Sequence, residues 1–156
     1  MFDPIPIKDA KPIAYLKKTF VVFCSAFVVI GLISAYRAWF QVHSLELTST
    51  DQRLHAGSII HTNAASYART FVTVRIELIQ GEKSQTLAMQ RLQPNEWSLF
   101  DSRIRRGEQT TVVTPEILQR FSPGVALLRA TALGGPQWMR TPPPTVREMG
   151  VEIMQE

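Results

Sequence analysis

Phe71–Gln80 reads FVTVRIELIQ, with Val72, Val74, Ile76 and Leu78 alternating with Thr73, Arg75 and Glu77. A period of two places the apolar side chains on one face and the polar ones on the other. That pattern predicts a half-buried β-strand, because a helix would need apolar residues three and four apart. Gly81, Glu82 and Lys83 then supply a turn, and Ser84–Leu92 returns with Leu87 and Met89 expected to point inward. Together they read as a hairpin with a short glycine-containing loop.

Working outward, further short strands are expected at Ser44–Thr50, Ser58–Asn63, Trp97–Phe100, Gln109–Thr114, Val125–Leu133 and Met149–Met154. Some seven such strands, with turn residues between them, predict an all-β domain built as an antiparallel sandwich. Glu116–Gly135 reads EILQRFSPGVALLRATALGG. It resembles the turn and following strand of a fibronectin type III domain. Phe121, Pro123 and Gly124 stand at the turn, and Leu128, Ala130 and Ala132 at the inward strand positions. The family's usual aromatic in that strand is missing, since Leu127 and Leu128 stand there. The resemblance covers about twenty residues and implies a fibronectin III or immunoglobulin-like sandwich without implying any function.

N-terminal to this domain the pattern changes. Thr19–Tyr36, TFVVFCSAFVVIGLISAY, is eighteen residues without a charge. As a helix it extends roughly 27 Å, close to the hydrocarbon thickness of a bilayer. It is apolar on every face, and a domain this small could hardly enclose such a helix. Lys17 and Lys18 at one end, and Arg37 and Trp39 at the other, are suited to anchor it at the two interfaces. The small residues that signal cleavage needs are poorly placed after the run, so the segment is expected to be kept as an anchor. Residues 1–14 contain Pro4, Pro6 and Pro12 and read as an extended tail. The expected division is therefore a tail over 1–14, a transmembrane helix over 15–40 and a β-sandwich domain over 41–156.

Lys8, Lys11, Lys17 and Lys18 precede the span, whereas only Arg37 stands in residues 37–52. The positive-inside rule then puts the tail in the cytoplasm and the domain outside. The one cysteine, Cys24, lies within the span, so the exported domain has no disulfide. This tilts the expectation toward a bacterial inner membrane with the domain in the periplasm.

No local signature of chemistry appears. His43, His55 and His61 lack the spacing of a tight metal site, and no nucleophile elbow or phosphate loop occurs. The span holds no His, Asp, Glu, Lys or Arg to relay protons, and so no histidine to ligate a cofactor. The expectation is a chain that is no enzyme, carries no metal or cofactor, and binds no nucleic acid. Residues 37–156 hold thirteen basic and eleven acidic residues, with no basic stripe.

Three features remain as candidate contacts. Cys24, Gly31, Ala35 and Ala38 share one helix stripe, and Gly31 and Ala35 form a small-xxx-small pair that lets another helix approach. Ser102–Gly107, SRIRRG, gathers Arg103, Arg105 and Arg106 in what reads as a basic turn, fit for lipid headgroups or an acidic neighbour. Gly134–Pro144, GGPQWMRTPPP, places Trp138, Met139 and Arg140 beside the stiff run Pro142, Pro143 and Pro144. A plain anchor, a domain without evident chemistry and sticky surfaces predict a non-catalytic accessory subunit of a larger membrane complex, respiratory or photosynthetic complexes being one such class, with the bilayer and the complex as partners. The alternative is a stand-alone envelope sensor or adhesion module.

Overall fold

The structure, a computed structural model, describes residues 11–94, 103–135 and 142–154, with the backbone alone for 11–17 and 37. The chain divides after Tyr36 into a helical unit and a β unit. The helix α1 covers Lys11–Trp39. It begins one residue before Pro12, where a missing N–H costs nothing because first-turn donors lack helical partners anyway. Lys18–Tyr36 is long and apolar enough to cross a membrane. Within the run, the Ser25 hydroxyl donates to the carbonyl of Val21 at 2.7 Å, which satisfies that donor inside the helix. Residues 1–10 of the expected 1–14 tail, with Pro4 and Pro6, lie outside the described residues, whereas positions 11–14 belong to α1 rather than to an extended tail.

The β unit holds eight strands among the described residues: β1 (Val42–Ser49), β2 (Arg53–Leu54), β3 (Ile59–Tyr67), β4 (Val72–Gln80), β5 (Lys83–Leu92), β6 (Ile104–Val112), β7 (Gly124–Gly134) and β8 (Thr145–Ile153). A one-turn helix, α2 (Pro115–Leu118), precedes β7. One sheet has the order β1-β3-β6 and the other β2-β8-β7-β4-β5. All pairs are antiparallel except β2 with β8, so the larger sheet is mixed rather than purely antiparallel. The cause is a change of sheet. After β1, the chain crosses to the edge of the other sheet without reversing, and so meets β8, which runs the same way.

Val72, Val74, Ile76 and Leu78 are all buried, as their alternation requires. Around them lie two contiguous clusters. The larger includes Leu54, Ile60, Ile76, Leu78, Phe121, Leu128 and Ile153. The smaller is built from Val42, Leu45, Ala64, Val72, Val74, Ala130 and Ala132. Along the inner face of β7 the side chains shrink from Leu128 through Ala130 and Ala132 to Gly134. The backbone can therefore approach its neighbours closely at that end.

Two expectations are corrected. Met89 is 55 % exposed, not inward. The β4–β5 register shifts between Ile76, opposite Ala88, and Glu77, opposite Thr86, leaving Leu87 as an extra residue. This bulge reverses the alternation, so Leu87 and Ala88 both reach the core and Met89 turns out. The basic segment at Arg103–Gly107 is not a turn, because β6 begins at Ile104, five residues before the expected start at Gln109. Its inward positions are Arg105, Gly107, Gln109 and Thr111, and no apolar alternation marks them. The strand expected at Trp97–Phe100 lies outside the described residues.

Candidate functional site

The registers place one end of every long strand together. Val42 pairs with Ser66, Tyr67 with Ile104, Val72 with both Leu92 and Gly134, and Ala132 with Thr145. Residues 68–71, 93–94, 103, 135 and 142–144 therefore lie at the same end of the β unit, and it is the end at which the chain arrives at β1. We call it the near end.

The near end is tied by hydrogen bonds and ring contacts. Thr70 is fully buried. Its hydroxyl donates to the Trp39 carbonyl at 2.9 Å, and its N–H donates to the Tyr67 carbonyl at 2.9 Å. The Thr70 carbonyl accepts from the Arg105 guanidinium at 3.3 Å, which also donates to the Gln93 carbonyl. Ala68 N–H donates to Arg103 at 2.8 Å, and Gly135 N–H to Phe71 at 2.7 Å. At Gly134 a Cβ would lie 1.7 Å from the Phe40 carbonyl oxygen, so only glycine fits.

An aromatic and cationic stack lies at this end. The Arg69 guanidinium sits 4.5 Å from the Tyr67 ring and 4.8 Å from the Trp39 ring. His43 meets Tyr67 edge-on at 4.4 Å. The register shift between Val42 and Ser44 makes His43 a bulge residue and swings it out to that ring. Each such cation–π contact is worth about 0.5–1 kcal/mol at an exposed site.

Of the residues singled out in the sequence, Arg103 and Arg106 are exposed at the near end, whereas Arg105 is half-buried and engaged in the contacts above. Arg105 therefore holds the loops together rather than offering a free contact. Trp138, Met139 and Arg140 lie outside the described residues. Pro142 is buried, and Pro143 and Pro144 are exposed. Cys24, Gly31, Ala35 and Ala38 are exposed along α1, and a Cβ on Gly31 would meet open space. Lys18 is exposed, the side chains of Lys17 and Arg37 are outside the described residues, and Trp39 is half engaged by Arg69. Sequence reasoning missed Arg69. Its position between Tyr67 and Phe71 at a strand junction was a usable signal, but its second partner, Trp39, is remote in sequence.

Among the described residues no three His, Cys, Asp or Glu side chains gather as a metal site. His61 Nδ1 lies 3.2 Å from the Thr110 hydroxyl, and His55 Nε2 lies 3.5 Å from Asp51. At the far end, the Thr114 hydroxyl hydrogen-bonds the Glu116 carboxylate and, with a backbone hydrogen bond, holds it below the usual carboxylate range.

No family model matches the chain, and no curated protein matches it. The solved structures that align include two weak likenesses. Spo0M, a sporulation control protein from Bacillus subtilis, is 7 % identical over 72 % of this chain and 49 % of that one, with a TM-score of 0.41. A protein from Archaeoglobus fulgidus is 8 % identical over 74 % of this chain and 100 % of that one, with a TM-score of 0.38. The chain spans about half the length of Spo0M, and similarity at this level assigns neither fold nor role.

Proposed function

We propose that the chain is a membrane-anchored, non-catalytic accessory subunit of a larger membrane assembly. In this reading α1 crosses a bacterial inner membrane with its N-terminus in the cytoplasm. The β unit, an immunoglobulin or fibronectin III-like sandwich, stands in the periplasm. The sandwich assignment is supported by the strand order: β1, β3 and β6 form one sheet, while β8, β7, β4 and β5 lie side by side in the other. This matches the grouping of the A, B and E strands apart from G, F, C and C′.

The observation that carries the functional reading is the convergence at the near end. The basic segment at Arg103–Arg106 and the described prolines Pro142–Pro144 lie at the end where the chain enters β1. α1 ends at Trp39 and β1 begins at Val42, so only a short stretch of chain joins the span to that end. The helix adds a second contact through the Gly31 and Ala35 stripe.

The test is the native mass of the protein after gentle detergent extraction. A stoichiometric membrane partner supports the subunit reading, and a lone chain in detergent overturns it. One observation favours the alternative, a stand-alone binding module. An open recess between β2 and β8 is lined by Asp51, Arg53, Val125 and Glu152 at the far end, with Val125 83 % exposed. A lone chain that binds a soluble ligand there would support that alternative.

A further inference from the structure

Charge is distributed unequally between the two ends of the β unit. Among the described residues, the near end holds Arg69, Arg91, Arg103, Arg105 and Arg106. The far end is mixed, with Asp51, Glu82, Glu116 and Glu152 beside Arg53, Lys83 and Arg120. Arg91 and Arg106 are exposed and have no ion-pair partner among the described residues. They stand on different sheets, Arg91 on β5 and Arg106 on β6. At the same end, large apolar side chains are exposed: Trp39 at 40 %, Phe71 at 43 % and Ile104 at 60 %.

We propose that the near end binds anionic phospholipid headgroups, with Arg91 and Arg106 meeting phosphates while Trp39, Phe71 and Ile104 sit at the interface. The proposal rests on the anchored reading and names what the basic part of that end touches. Three features favour a lipid surface over an acidic protein. The cations come from both sheets around the rim instead of one face, which suits a plane. Arginine alternates with aromatic and aliphatic groups, the composition that interfacial segments use. The Arg69 guanidinium is held between Tyr67 and Trp39, beside the residue where α1 ends, so one cation is ordered at the rim.

The full-length protein, inserted in nanodiscs of phosphatidylcholine alone or with phosphatidylglycerol mixed in, provides the test by amide exchange. Amides of 68–71 and 104–106 should exchange several-fold more slowly in the anionic discs. Raised salt should remove that protection. Reversing Arg91→Glu and Arg106→Glu together should abolish that protection, since each cation near an anionic surface contributes about fivefold. Amides of β4 report whether the variant still folds, and the comparison of lipids and salt on the parent chain needs no variant. Equal exchange in both discs overturns the proposal but leaves the anchored reading standing. Protection that appears only with a co-purified acidic protein also overturns it, in favour of a protein partner. Failure to insert into any disc overturns the proposal and the anchored reading together.

Discussion

Thr70 donates its hydroxyl to the carbonyl oxygen of Trp39 across 2.9 Å, although thirty-one residues separate them in sequence. The donor is fully buried, and the carbonyl belongs to the last residue of α1, where helical carbonyls lack intrahelical partners. Thr70→Val keeps the shape and removes the donor. The carbonyl then loses its partner, at a cost of about 1–3 kcal/mol. Thermal unfolding of the full-length protein in detergent, followed by the β-sheet signal in circular dichroism, should show a drop of several degrees. Thr70→Ser should retain most of the stability. Equal melting of Thr70→Val and the parent would show that the bond contributes nothing.

Gly134 faces the next test at the same end. Its missing Cβ is what allows β7 to pass the Phe40 carbonyl, and the obstacle is backbone, which cannot rotate away. Gly134→Ala should cost about 1–3 kcal/mol through forced displacement. Gly150→Ala is the control, since a Cβ there meets nothing within 4 Å. If both alanine variants melt together, the close approach at Phe40 is not real.

The core offers a larger effect. Leu128 and Val74 are 0 % and 2 % exposed, in different clusters. Leu128→Ala should lose about 2–5 kcal/mol by leaving a cavity. Val74→Asp should bury an unpaired charge and either unfold the β unit or force the new carboxyl to stay protonated. A Val74→Asp chain that melts like the parent at neutral pH would place β4 in the wrong register.

What the sequence disclosed follows from how each strand is buried. β4 announces itself because all four inward positions are aliphatic. β5 loses its phase at Leu87 because a bulge adds one residue that periodicity does not see. The first half of β6 is silent because Arg105 and Gly107 face inward. Gly107 is there to admit Leu92, whose Cδ1 would lie 2.3 Å from an added Cβ. Arg105 is tolerated because its guanidinium reaches two backbone carbonyls. At the candidate site, Arg103 and Arg106 are visible as a charge cluster. The stack on Arg69 is not, because it joins Trp39, the last residue of α1, to Tyr67 and Arg69 at the end of β3, which only folding brings together.

Glu116 permits a pH test. The Thr114 hydroxyl, then a backbone hydrogen bond, favours its charged form and lowers its pKa in the folded state. A lowered folded value means that the stabilisation is present above the ordinary carboxylate pKa and lost as pH falls through the folded one. NMR titration of the Glu116 carboxyl should give a midpoint below that of an unstructured glutamate. Thr114→Val should move it up. A midpoint unchanged by Thr114→Val would assign the shift to another cause.

The functional reading is tested most directly on the helix. An isolated anchor needs only its apolar length, so any apolar side chain serves at any position of Lys18–Tyr36. An anchor that docks against a neighbouring helix needs small residues where the two backbones approach. Gly31 is exposed, with no atom within 4 Å of an added Cβ, so Gly31→Leu disturbs nothing inside this chain. Membrane insertion and the melting of the β unit should therefore stay as in the parent, while co-purification with the membrane partner falls. Val29→Leu, on the same helix but off the stripe through Cys24, Gly31, Ala35 and Ala38, controls for bulk alone and should leave co-purification intact. If Gly31→Leu and Val29→Leu pull down the partner equally, the helix is an anchor only, and any assembly must rest on the β unit.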